Sequence, residues 1–456
     1  MNSRIMIAGT NSGCGKTTVT TALLSLLSES EKTKGKVSAF KCGPDYIDPM
    51  FHRKVLGVSS HNLDPFFSSP EQLNHQISKA EGISVIEGVM GYYDGIGIRG
   101  DCSSWSLASS TKTPVILVIN GRGMYTSSAA IMKGFKDLRK DSMIRGVIFN
   151  NVNKMVYDGL SQIAVNSGLR PLGYLPRDPE ITIGSRHLGL ITAGEIRDLH
   201  TRLRRLKEIA AETLDIEGIL ALASAAEPLP LKPETNDLQG PSREIRTSSA
   251  EKSVIAVAKD QAFSFIYQET LEAFINSDAE VCYFSPVQDE HIPAKASALY
   301  LPGGYPELYA EELSTNKSML KDIREKIFSG MPTIAECGGF LYLHETIDGV
   351  SMAGIFHSSS RKTERLQHFG YVTLTANEDN LLVKAGGKLR AHEFHYYDST
   401  DYGRGFTAEK ASTGRTYPCV FCSPSLYAGF PHLYLASEPE AVSRFVRAAA
   451  EYSKNL

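Results

Sequence analysis

The sequence predicts an α/β protein of two domains, each a mostly parallel sheet covered by helices on both faces. Three observations carry this. The first half alternates short, β-branched-rich apolar runs with stretches long enough for crossover helices. A second series of the same kind opens near Val254, after a stretch of different composition. The chain has 456 residues, too many for one ordinary domain and enough for two of about 200.

In the first domain, residues 1–226, RIMIAGT (4–10) reads as a buried strand leading into a helix from Lys16 to Ser28. KVSAFKC (36–42), ISVIEGV (83–89), TPVILVING (113–121) and IRGVIFNNV (144–152) are further strands, and Gly194 to Leu222 is helical in pattern with many charges. Residues 227–253, EPLPLKPETNDLQGPSREIRTSSAEKS, are rich in Pro, Ser and charge and read as a linker. The second domain, 254–456, has strands at VIAVAKD (254–260), EVCYFSP (280–286), ALYLPGG (298–304) and PTIAEC (332–337). There is no internal repeat and no low-complexity tract.

Hydrophobic residues are 42% and charged residues 22%, a soluble-enzyme balance, and the net charge of -3 with no basic block argues against a nucleic-acid footprint. No run of 18 apolar residues is present, so no membrane span is expected. The N-terminus lacks the apolar core of a signal peptide, and seven scattered cysteines make no disulfide framework. These features point to the cytoplasm. Cys419 and Cys422 form a lone C-x-x-C without the second pair that a structural zinc site needs.

Strand, Gly-rich loop and helix in GTNSGCGKTT (9–18) form an arrangement that cradles a triphosphate with backbone N–H groups and a helix N-terminus. Gly13, Gly15, Lys16, Thr17 and Thr18 would hold ATP, with Lys16 reaching the β/γ oxygens and the Thr17 hydroxyl on Mg²⁺. Gly9 and Gly15 are separated by five residues where the strict motif has four. GPDYIDP (43–49) and EGVMGYYDG (87–95) follow the second and third of these strands. Their acids Asp45, Glu87 and Asp94 fall at carboxyl ends of parallel strands, where ligands bind. Mg²⁺ needs few protein oxygens, and Thr17 with Asp45 or Glu87 would suffice.

In the second domain, LPGGYPE (301–307) ends one strand and AECGGF (335–340) the next. The turn at Cys337 reads as a nucleophile elbow, exposing the thiol at a helix N-terminus whose dipole would lower its pKa. The Gly338 N–H and the Gly303–Gly304 turn would supply oxyanion donors, so Gly338 and Gly304 join the catalytic set. His432, in GFPHLYLAS (429–437), is the candidate base.

The order of PGG turn, C-G-G elbow and late His resembles class I glutamine amidotransferases. Many of these carry a Glu two residues after the His; here Tyr434 stands there, so the third member is missing or comes from elsewhere. Glu438 and Glu440 are near in sequence. The longer phosphate loop resembles that of dethiobiotin synthetase and its relatives, which activate carboxylates with ATP. Together, GTNSGCGKTT, KCGPDYIDP (41–49), EGVMGYYDG, SRHLGL (185–190), LPGGYPE, ECGGF and AHEFHYY (391–397) resemble the cobyrinic acid a,c-diamide synthases over nearly the whole chain. KCGPDYIDP and SRHLGL are the specific segments, and the sister cobyric acid synthases lack a GPDYIDP-type loop.

The resemblance implies successive amidation of the c and a acetates of a corrin ring with ATP, Mg²⁺ and glutamine. It links Asp45, Tyr46, Ile47, Glu87 and Asp94 to substrate and metal handling. It also places Asn150 and Asn151 where relatives contact adenine. Partners expected are the corrinoid substrate and a second copy of the chain, with no nucleic acid and no membrane. The chain departs from the family at Asn120 and Ala391, where relatives carry Asp and Gly. His392, Glu393 and His395 have metal-like spacing, but one strand with alternating faces gives the same pattern, and a structural role is expected. The same reaction on hydrogenobyrinic acid or nickel-sirohydrochlorin stays open. So does a P-loop switch ATPase with an amidotransferase-like binding domain.

Overall fold

The computed structural model describes residues 3–181, 193–231 and 252–454, with backbone only at 193–198. SRHLGL and most of the linker lie outside the described residues. The chain divides into two compact units, Met1–Pro233 and Glu234–Leu456.

The first unit is built on seven strands: β1 (Arg4–Gly9), β2 (Val37–Cys42), β3 (Ser59–Leu63), β4 (Ile83–Glu87), β5 (Val115–Asn120), β6 (Ile144–Asn150) and β7 (Arg170–Leu175). Their order across the sheet is β3-β2-β4-β1-β5-β6-β7, and every pairing is parallel. β1, β2 and β4 are buried along their whole length, as strands covered on both faces must be. Ile5 and Ile7 share a cluster with Val19, Leu23 and Leu27 of α1 (Lys16–Ser28). Met6 and Ala8 join Phe40, Ile86 and Leu117 in a second cluster. Each of these Ile, Val, Leu, Met and Phe side chains contributes roughly 1.5–3 kcal/mol.

The two edge strands lack the apolar signature of the others. β3 is SSHNL, and β7 carries Pro171 and Gly173, which an edge tolerates and a central strand does not. The charged helical stretch expected as one piece is two helices, Ala193–Thr213 and Ile216–Ser224. Asp215 separates them by accepting the Gly218 N–H at 2.8 Å, an N-cap that starts the second.

In the second unit a six-stranded sheet runs Ala279–Phe284, Ser253–Ala258, Ala298–Leu301, Thr333–Glu336, Leu426–Gly429, Phe421–Ser423. All pairs are parallel except the last, at the edge. A five-stranded antiparallel sheet accompanies it, in the order Thr416–Cys419, Phe406–Lys410, His368–Ala376, Lys388–His395, His432–Leu433. Its strands carry Gly, His and charge at many positions, which weakens their apolar signal. No helix among the described residues is long and apolar enough to cross a membrane.

Candidate active sites

β1 delivers the phosphate loop to the N-terminus of α1. The loop turns at Gly13 and Gly15, with φ of 77° and 108°. A Cβ on Gly15 would stand 2.0 Å from Asn150 Nδ2, which itself donates to the Cys14 carbonyl at 3.0 Å. Asn150, at the end of β6, thus braces the loop from the side. Lys16 is buried, and its Nζ donates to the Asn11 carbonyl at 3.1 Å and the Met90 carbonyl at 2.5 Å. Burial lowers its pKa. Thr18 follows on α1, partly exposed. Gly15→Ala should raise KM for ATP by about tenfold or more, because it adds both the clash and roughly 1–3 kcal/mol of backbone strain. Steady-state kinetics in ATP checks this.

Beside the loop, strand register brings a charged cluster together. Glu87 of β4 is level with Ile7 of β1 and Lys41 of β2. Thr17 Oγ1 donates to Glu87 Oε1 at 2.7 Å, joining the loop to the acid. Lys41 Nζ lies 2.9 Å from the same oxygen, 2.5 Å from Asp48 Oδ2 and 3.9 Å from Asp45 Oδ2. His52 Nε2 lies 3.9 Å from Glu87 Oε2, while its Nδ1 contacts Ser60 Oγ at 3.0 Å.

Burial raises the Glu87 carboxyl to about 7 and the Asp45 carboxyl to about 6, with neighbouring Asp48 adding to both. The three carboxylates hold the fully buried Lys41 charged, well above its usual range. Burial keeps His52 neutral, lowered to about 4. Asp45 Oδ1 accepts the N–H groups of Ile47 and Asp48 at 2.9 and 3.0 Å, starting the helix Ile47–Leu56; Tyr46 caps that helix. Asp94 is exposed on the loop after β4, its Oδ2 accepting the Gly91 N–H at 3.0 Å. Lys41, Asp48 and His52 were not candidates from sequence. KCGPDYIDP contains two of them, but only the sheet register reveals that Lys41 reaches Glu87.

In the second unit, Cys337 sits between the strand Thr333–Glu336 and the helix Gly338–Tyr342, with φ 46° and ψ -99°. This positive φ on a non-glycine residue is the backbone strain of a nucleophile elbow. Its N–H donates to the Gly429 carbonyl at 2.8 Å and its carbonyl accepts from Leu341 at 2.9 Å. Gly338 and Gly304 adjoin: a Cβ on Gly338 would lie 2.8 Å from the Gly304 nitrogen. Gly303 has to be glycine, since a Cβ there would stand 2.3 Å from His432 Cε1. The PGG turn, the elbow and the late histidine therefore converge.

Residues 5–191 match the CobQ/CobB/MinD/ParA nucleotide binding domain, and residues 254–438 match the CobB/CobQ-like glutamine amidotransferase domain. The cobyrinate a,c-diamide synthase of Caldanaerobacter subterraneus is 36% identical over 98% of this chain and 99% of its own length. That of Methanothermobacter thermautotrophicus is 36% identical over 98% and 100%, and that of Thermoplasma volcanium 37% identical over 99% and 98%. The chain belongs to the cobyrinate a,c-diamide synthase family. It is an ATP-dependent carbon–nitrogen ligase that takes nitrogen from glutamine.

Within this synthase-family chain, one electrostatic expectation is corrected. Burial pushes the Cys337 thiol above its ordinary value, Glu307 adding to the rise, and the Gly338 N–H only partly offsets this. The helix behind it is five residues long, too short to outweigh burial. His432, also buried, is lowered to about 3. Burial thus favours a neutral thiol and a neutral imidazole, so a thiolate at Cys337 would have to be made by proton transfer. Glu438 does not face His432; it pairs with Arg390 Nε at 3.7 Å, and Tyr434 packs edge-on against Tyr267.

In AHEFHYY, His395 donates from Nδ1 to the Tyr397 carbonyl at 2.7 Å and stacks on Phe430, while Glu393 accepts the Tyr417 hydroxyl. These contacts tie the strand Lys388–His395 to its own sheet through Tyr417 and to neighbouring segments through Tyr397 and Phe430. Cys419 and Cys422 are free thiols.

Mg²⁺ fits the first unit's oxygen set. Among the described residues no group of three or more His, Cys, Asp or Glu side chains is arranged to hold a metal by itself. Mg²⁺ characteristically keeps waters and nucleotide oxygens and takes only one or two protein oxygens, and the adjoining Thr17 and Glu87 oxygens offer such a pair.

Proposed function

We propose that the chain amidates the c and a acetates of cobyrinic acid in turn, in cobalamin biosynthesis in the cytoplasm, using ATP, Mg²⁺ and glutamine. The observation that carries this is the contact of Thr17 with Glu87, which joins the phosphate loop to the acidic strand ends. It sits in a chain whose other half bears the Cys337 elbow against Gly304. A carboxylate is a poor electrophile until it becomes an acyl phosphate. Its oxygen attacks the γ-phosphorus, ADP leaves, ammonia attacks the acyl carbon, and inorganic phosphate departs.

Phosphoryl transfer needs charge neutralisation and alignment more than covalent help. Lys16 supplies a cation at the β/γ oxygens, and Thr17 with Glu87 or Asp45 would hold Mg²⁺, which neutralises phosphate charge. Lys41 keeps the clustered acids from repelling the phosphates. In the other unit, Cys337 attacks the glutamine amide carbon, the Gly338 and Gly304 N–H groups stabilise the oxyanion, and His432 returns the proton to the leaving ammonia. Turnover of cobyrinic acid beside its cobalt-free and nickel-bearing analogues tests the substrate. Preference for either analogue would move the chain to that sister reaction.

Asp45 and Asp94 are proposed to present one acetate at a time. Asp45→Asn keeps a side-chain oxygen for the two helix N–H groups, so it removes charge without removing the cap. Asp45→Asn or Asp94→Asn should slow the two amidations unequally, one of them by about 10²-fold, so that monoamide accumulates. Time-resolved separation of monoamide from diamide measures this. Equal slowing, partly rescued by added Mg²⁺, would make these acids metal ligands only.

A further inference from the structure

We infer that Glu336, the residue immediately before the nucleophile, is the group that orients His432 in the glutaminase site. This rests on the reading of Cys337 and His432 as the glutaminase pair. Glu336 ends the strand Thr333–Glu336, in the middle of the six-stranded sheet, and is completely buried. Its Oε1 accepts the Leu433 N–H at 3.0 Å, gripping the residue next to His432. Its Oε2 accepts the Tyr300 hydroxyl at 3.0 Å and lies 3.9 Å from His432 Nδ1. One carboxyl therefore holds the backbone of the two-residue strand His432–Leu433 and stands beside the ring that this strand carries.

No lysine or arginine of the described residues lies within ion-pairing distance of Glu336. A buried carboxyl without a cation is costly, and the group it faces is an imidazole. Its carboxyl is raised by burial to about 8, while the imidazole is lowered to about 3. Burial thus disfavours a charge on either group while the other is neutral. In the reaction the Cys337 S–H bond breaks and its proton joins Nε2, the nitrogen turned away from Glu336, giving thiolate and imidazolium. A cation at 3.9 Å and an ionised carboxylate favour each other, so the enzyme form in which Glu336 is already ionised is the one that stabilises the imidazolium as the thiol proton arrives, and no proton leaves Glu336 in the step. The acid that many amidotransferases place two residues after the histidine is here supplied from the strand bearing the nucleophile.

Glu336→Gln tests this, because Gln keeps the shape, an acceptor for Leu433 and a partner for Tyr300, and loses only the ability to carry a negative charge. The expected result is a fall in kcat for glutamine hydrolysis of about 10- to 100-fold with KM for glutamine within about twofold of wild type. Alkylation of Cys337 by iodoacetamide should slow in parallel. Tyr300→Phe, which frees the oxygen facing His432, is expected to lower kcat by about three- to tenfold in the same direction. Wild-type kcat and alkylation rates in both variants would overturn the proposal and leave Glu336 a structural residue. A rise in KM with unchanged kcat would overturn it as well. Cys337→Ser separates this from the underlying reading. If that variant still hydrolyses glutamine, the glutaminase assignment itself fails, whatever Glu336 does.

Discussion

Cys337→Ser is expected to abolish glutamine-dependent amidation while ammonia-dependent amidation persists. The thiol sits at a strained elbow, its N–H tied to Gly429, so a serine is held in the same place. A serine hydroxyl gives up its proton far less readily than a thiol, and His432 is too weakly basic in its buried setting to compensate. Loss of a nucleophile that works as a unit with its base costs on the order of 10³-fold or more. The carboxylate-activating residues belong to the other unit and keep their geometry. The measurement is amide formation with glutamine and, separately, with ammonium at high pH, where free ammonia is abundant. If ammonia fails to rescue the variant, nitrogen release and carboxylate activation are not separate sites.

Lys16→Ala should fail with either nitrogen source, since acyl phosphate cannot form. Lys16 Nζ is held at the loop by two carbonyls, Asn11 and Met90, which aim it without neutralising it. Removing one preorganised donor from developing charge costs on the order of 10²–10³ in rate. Lys41 cannot replace it, because its ammonium is engaged by Asp48 and Glu87. Release of inorganic phosphate with cobyrinic acid and ammonium, with no glutaminase step involved, isolates the effect. Near-normal turnover would remove Gly9–Thr17 from the catalytic site.

Much of each site is local in the chain. The loop Gly9–Thr18 and the elbow at Cys337 are local: strand, turn and helix follow within about twenty residues, and the residue types at the turns carry the chemistry. The same holds for the strands with mainly apolar runs, such as β1, β4 and β5. β3, β7 and the five-stranded sheet escaped because edge and half-exposed strands lack a continuous apolar run. The electrostatics escaped too. That the Cys337 thiol is raised depends on how deeply the elbow is buried, which helix-terminus reasoning does not include.

The sequence by itself determined the two αβ series, and it offered the Gly9–Thr18 loop, the acids after the following strands, Cys337 and the late His432 as candidates. Tertiary structure alone decided what stands beside them. Lys41 meets Glu87 because β2 and β4 are neighbours in register, though the chain runs through β3 between them. Glu336 faces His432 because the strand Thr333–Glu336 lies next to the segment that carries the histidine, across 97 residues to Leu433. Local pattern reports which face of a strand is buried. Which distant side chain shares that face is set by sheet order and register, and both partners of such a pair look like ordinary residues until the sheet is assembled.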